Sequence, residues 1–119
     1  MPAYIVNPQP VQLVQLNPGN SIAVVNNAAV DSGILTTQQL AIGLDPTGNS
    51  QVTVTNTTNQ TATPQTATTD TAAQYEPYYV QGSAITVPAG ESVSFPINAR
   101  WLRFTYATAP TSGSLIVTR

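Results

Sequence analysis

Apolar and polar positions alternate with a period of two along several short runs of the chain. Over residues 51–56, Val52 and Val54 fall on one face and Thr53 and Thr55 on the other. Over 92–97, Val93, Phe95 and Ile97 oppose Ser92, Ser94 and Pro96; over 100–106, Leu102, Phe104 and Tyr106 oppose Trp101, Arg103 and Thr105; over 114–118, Leu115 and Val117 oppose Ile116. Successive side chains of a strand point to opposite faces, so each run predicts a strand with one face on a core. Less regular apolar runs predict further strands at 3–6, 21–26, 40–44, 77–81 and 84–87, the last with Ile85 and Val87 on one face. Another falls at 11–16, with Val11, Leu13 and Gln15 on one face and Val14 and Leu16 on the other. No stretch sustains a 3.6-residue period, and residues 36–40 read as a single helical turn or a loop.

Gly and Pro punctuate these runs. Asn17-Pro18-Gly19-Asn20, Asp31-Ser32-Gly33, Asp45-Pro46-Thr47-Gly48, Pro88-Ala89-Gly90-Glu91 and Ala109-Pro110-Thr111-Ser112-Gly113 are turn sequences. Many short strands at such spacing predict an all-β fold, an antiparallel β-sandwich or closed barrel, with a jelly-roll-like sandwich preferred. The 119 residues make one domain, 1–119. Two segments stand apart. Residues 57–74 are almost purely Thr, Ala, Gln and Asn and read as a long polar loop. A long loop with no packing of its own orders only against something else, which points to a partner or a symmetric neighbour. Residues 1–18, with Pro2, Pro8 and Pro10, read either as an extended N-terminal arm along a neighbour or as an ordinary first strand.

Composition narrows the chemistry. Only 7% of residues are charged, against about a quarter in ordinary soluble domains. The chain has no cysteine, histidine or lysine, so disulfides, thiolate metal sites, cysteine nucleophiles and His- or Lys-based catalysis are excluded. Arg100, Arg103 and Arg119 are the only cations and the net charge is −2, too little positive charge for strong nucleic-acid binding. No apolar run approaches the ~20 residues of a membrane-spanning helix, and the first residues lack the basic and apolar regions of a signal peptide. The carboxylates Asp31, Asp45, Asp70, Glu76 and Glu91 fall in predicted turns or loops and never recur at the two-residue spacing of a calcium loop. No serine has an activating histidine, and no glycine-rich phosphate loop is present. The expectation is a non-enzymatic chain with no cofactor and no metal. Two glycosylation sequons, at Asn56 and Asn59, are what chance gives in a Thr-rich segment.

A surface so poor in charge favours association, and it suits a chain whose faces are covered by neighbours. Trp, Tyr and Arg dominate interface hot spots, so the candidate interface residues are Tyr4, Tyr78, Tyr79, Trp101 and Arg103. If Leu102, Phe104 and Tyr106 face the core, Trp101 and Arg103 stand side by side on the opposite face. The same residues could stack a sugar ring, as in a carbohydrate-binding module, or Trp101 could cap the core with Arg103 over its ring.

Residues 84–106 run Ala84-Ile85-Thr86-Val87, Pro88-Ala89-Gly90-Glu91, Ser92-Val93-Ser94-Phe95-Pro96-Ile97, Asn98-Ala99 and Arg100-Trp101-Leu102-Arg103-Phe104-Thr105-Tyr106. This stretch resembles the small all-β virion proteins of tailed bacteriophages, and the capsid decoration (cement) proteins in particular. The resemblance covers about a third of the chain, with no signature motif; elsewhere it is one of composition. It implies a structural protein on the virion's capsid surface. Such a protein binds at junctions between subunits of the major capsid protein, often as a homo-oligomer, a dimer or trimer, with no nucleic acid and no membrane as partner. Phage tail, neck and fibre adaptors share the same style of sequence.

Overall fold

A computed structural model describes residues 13–42, 50–67, 76–77, 79–80, 83–97 and 100–119. These form eleven strands and, among the described residues, no helix. The strands are β1 (Leu13–Gln15), β2 (Ser21–Val25), β3 (Gln39–Ala41), β4 (Ser50–Asn56), β5 (Ala62–Ala67), β6 (Glu76–Pro77), β7 (Tyr79–Val80), β8 (Ser83–Ala84), β9 (Ser92–Ile97), β10 (Trp101–Tyr106) and β11 (Leu115–Thr118). One sheet runs β1-β3-β10-β5-β6 and a second β2-β11-β4-β9, with β7 and β8 as a separate hairpin. All pairs are antiparallel except β1 with β3, which run parallel. The two larger sheets pack face to face as an all-β sandwich.

The strongest period-two runs become the interior strands and set the core. Val52 and Val54 of β4, Phe95 and Ile97 of β9, Leu102, Phe104 and Tyr106 of β10, and Leu115 and Val117 of β11 are buried together, with Leu16, Val25, Leu40, Ile42 and Val87. Their alternate neighbours Thr53, Thr55, Trp101, Arg103, Thr105 and Ile116 are half-buried, and Ser92, Ser94 and Pro96 are exposed. At ~25 cal/mol per Å² of apolar surface, such layers supply the main stabilisation of a domain this size. Pro96 lacks an N–H to donate, and it lies on β9, which pairs with β4 alone at the edge of its sheet.

The loop expected over 57–74 gives way to a strand within its described part, 57–67; residues 68–74 lie outside the described residues. Residues 57–61 are a tight hydrogen-bonded turn, and 62–67 form β5, paired on both sides within its sheet by β10 and β6. Residues 57–67 are thus held by their own chain, and for them the argument that a partner is needed falls. Composition misleads here because the buried side of β5 is filled by Ala62 and Pro64, small groups seated under Tyr106 and Phe104. Pro64 is tolerated in this interior strand for a specific reason. Its partner Phe104 donates its N–H to the Thr37 hydroxyl (2.9 Å) and accepts the Thr37 N–H (2.9 Å), both on the side away from β5. The Phe104–Pro64 pair is therefore one that exchanges no backbone bonds, so the missing N–H interrupts nothing between β5 and β10.

Other boundaries shift. The strand expected at 40–44 is Gln39–Ala41, and Thr36 makes an isolated antiparallel bridge to Thr105 rather than a helical turn. The strand expected at 77–81 is divided between β6 and β7, which places Glu76 in a strand rather than a loop. That expected at 84–87 reduces to β8, with Val87 bridging Ala62 separately. The strand expected at 11–16 is Leu13–Gln15, an edge strand of the sandwich. The strand expected at 3–6, and residues 1–12 of the expected arm, lie outside the described residues.

Candidate functional site

The outer face of the β1-β3-β10-β5-β6 sheet carries the residues singled out from the sequence. Directly opposed residues of neighbouring strands share a face, and the register builds three rows. Trp101 lies opposite both Ala41 and Ala67, and Ala41 opposite Gln15. Two positions on, Arg103 lies opposite Gln65. Two more bring Thr105 opposite Thr36 on one side and Thr63 on the other. Arg103 Nε donates to Gln65 Oε1 at 2.9 Å, tying the guanidinium to the neighbouring strand. Trp101 is half-buried and stands outside the core cluster, so it does not cap the interior.

Trp101 and Arg103 are thus brought onto one face, as the alternation predicts. Tyr4 and Tyr78 lie outside the described residues. Tyr79 is in β7, which pairs with β8 outside this sheet.

The opposite face, on the β2-β11-β4-β9 sheet, is a hydroxyl array. Thr118 lies between Ser21 and Thr53, and Thr53 opposite Ser94; Ile116 lies between Ala23 and Thr55, and Thr55 opposite Ser92. The Thr53 and Ser94 hydroxyls are 2.7 Å apart, and Ser92 donates to Thr55 at 3.0 Å. These groups satisfy one another, so covering them costs little desolvation.

Polar residues at the end of β4 and in the turn after it prove structural. Asn56 is fully buried: its Nδ2 donates to the carbonyls of Gln60 (2.9 Å) and Val87 (2.8 Å). Its Oδ1 accepts the Thr58 N–H (3.0 Å) and the Thr58 hydroxyl. The Thr58 hydroxyl lies 3.4 Å from that of Tyr106, whose pKa burial pushes above the ordinary phenol value, with the Thr58 contact opposing. Asn59 exchanges bonds with Thr111 on both amide atoms. Asn56 therefore offers no accessible glycosylation site in the folded chain, and the Asn59 amide is engaged. The signal in the sequence was the Asn-Thr-Thr-Asn-Gln-Thr run itself, since such side chains bond locally to backbone in turns.

Among the described residues, no group of three or more acidic or metal-ligating side chains is placed to hold an ion. Asp31 is engaged locally, its Oδ2 accepting the Asn26 N–H at 3.1 Å. The fold and these faces define an all-β sandwich with two charge-poor sheet faces, one of them bearing a tryptophan and an arginine side by side. The chain matches no known family model, no characterised protein and no solved structure.

Proposed function

We propose that this chain is a structural virion protein that binds the outside of a phage capsid, at junctions between major capsid protein subunits, and stabilises the shell. The observation that carries this reading is the outer face bearing Trp101 and Arg103. It sets hot-spot residue types in rows of amides and hydroxyls, a surface that gives hydrogen bonds without the cost of burying many charges. The strand order supports it. The antiparallel pairs β2·β11, β3·β10, β4·β9 and β5·β6 form one long ribbon rolled into two sheets. We read this as the jelly-roll arrangement, a fold that viral capsid and lectin domains share. Fold alone does not define function.

The mechanism is thermodynamic linkage. A protein that binds only the assembled lattice adds its binding free energy to that state alone. A repeating lattice offers many such sites, and a dimeric or trimeric clamp gains further from effective concentration. The test is to mix the purified protein with expanded cognate shells lacking decoration and to measure co-sedimentation. Saturable, stoichiometric binding is expected, and failure to bind any cognate shell ends the proposal. Copy number separates this role from a tail, neck or fibre adaptor: hundreds per particle mark the capsid, a ring of about three to twelve the tail.

A further inference from the structure

Beside Trp101 the sheet face opens into a cleft. Gln15, Ala41 and Trp101 stand in one row across β1, β3 and β10. Ile42 and Arg100 follow at the strand ends, joined by the Ile42 N–H donating to the Arg100 carbonyl at 2.7 Å. Among the described residues, these five line an open cleft of about 190 Å³. Its side chains divide by chemistry. The indole of Trp101 offers a flat apolar wall, and Ala41 and Ile42 add no polar side-chain atoms. Gln15 and Arg100, both exposed, contribute an amide and a guanidinium.

Charge makes the cleft selective. Of the three arginines, Arg103 donates to Gln65, and Arg119 donates to the Leu16 carbonyl at 2.8 Å. The Arg100 guanidinium donates to no described residue. No carboxylate is among the described lining residues. A guanidinium binds a carboxylate through two parallel bonds, so the cleft presents an unspent fork next to an apolar wall. Its volume is below the ~300–1,000 Å³ typical of small-molecule pockets, enough for one or two side chains. The rows of Arg103 and Gln65 and of Thr36, Thr105 and Thr63 continue from it across the sheet, a contact area far wider than one sugar ring.

We propose that this cleft is the anchor pocket of the shell-binding face and takes an acidic loop of the partner protein. An Asp or Glu carboxylate binds Arg100, and a neighbouring proline, or an equally small apolar side chain, packs on Trp101. The identity of the partner rests on the virion reading above; the chemistry of the pocket does not.

Trp101 is the only tryptophan, so its fluorescence reports the cleft directly. The protein is titrated with N-acetyl-Pro-Asp-amide, N-acetyl-Pro-Asn-amide and glucuronic acid. The expected result is a saturable response to the aspartyl peptide and an at least tenfold weaker one to the asparaginyl peptide. Arg100→Gln, an exposed substitution, should abolish that preference and leave thermal unfolding unchanged. Equal responses to both peptides, no saturable response, or a preference that survives Arg100→Gln overturns the proposal. A response to glucuronic acid alone also overturns it, in favour of an acidic-sugar site. Shell binding separates the two readings. If the unmodified protein binds no shell, the virion reading fails and the peptide titration still decides the pocket. If it binds shells and Arg100→Gln binds equally well, the pocket proposal fails alone.

Discussion

Replacing Asn56 by alanine removes the most heavily bonded buried side chain among those described. Four hydrogen bonds disappear: two donated by Nδ2 to Gln60 and Val87, two accepted by Oδ1 from Thr58. The losses are unequal. The Val87 carbonyl keeps the Ala62 N–H at 3.0 Å, and the Gln60 carbonyl keeps the Thr58 hydroxyl at 3.0 Å. The Thr58 N–H is left unpaired in a residue that is 2% exposed. An orphaned buried donor costs ~1–3 kcal/mol and each lost net bond ~0.5–1.5 kcal/mol. With both carbonyl acceptors still served and the Thr58 N–H orphaned, the sum is about 3–4 kcal/mol. Urea unfolding followed by tryptophan fluorescence measures it: at a slope of ~2 kcal/mol per M, the midpoint should fall by about 1.5–2 M with the slope unchanged. Thr58→Val keeps its N–H on Asn56 and should cost about 1–2 kcal/mol. The double mutant should cost clearly less than the sum, because the two share one network. A loss below 1 kcal/mol for Asn56→Ala would refute the claim that this amide holds the β4–β5 turn to the core.

Gly113 has φ +82°, and a Cβ there would land on the Thr57 carbonyl, whereas Gly19, at φ +85°, has open space. Gly113→Ala should therefore cost at least about 2 kcal/mol and Gly19→Ala only the ~1–2 kcal/mol of the left-handed backbone, read as midpoint shifts in the same urea titration. Tyr106 has its folded pKa raised by burial, so the stability it contributes is intact below the unfolded value of about 10 and is lost as pH rises through the higher folded value. Stability should fall more steeply above pH 10 in the unmodified chain than in Tyr106→Phe, whose cost at pH 7 should stay below about 1 kcal/mol; parallel pH profiles of the two would contradict this. Trp101→Ala should weaken shell binding by about 2 kcal/mol or more, with modest loss of fold; a collapse of thermal stability instead would make Trp101 a packing residue.

Which side chains of β4, β9, β10 and β11 face inward was legible from the order of residues, because the two-residue period is a local property of extended backbone and needs no knowledge of the partner strand. That same parity put Trp101 and Arg103 together on the outside, so half of the candidate face was legible before any pairing was known. Turn sequences likewise located the gaps between strands. That 62–67 is an interior strand follows from pairing with distant strands. Its Thr-Pro-Gln-Thr stretch has no apolar alternation of its own; it is held because Phe104 spends its backbone bonds on Thr37 and leaves Pro64 a site that asks for no N–H. Only the fold, too, made Asn56 and Thr58 core residues and assembled the cleft from Gln15, Ala41, Ile42, Arg100 and Trp101, which lie up to 86 positions apart. Periodicity gives the direction of a side chain, whereas the residues that meet are chosen by strand pairing, which depends on contacts distant in the chain.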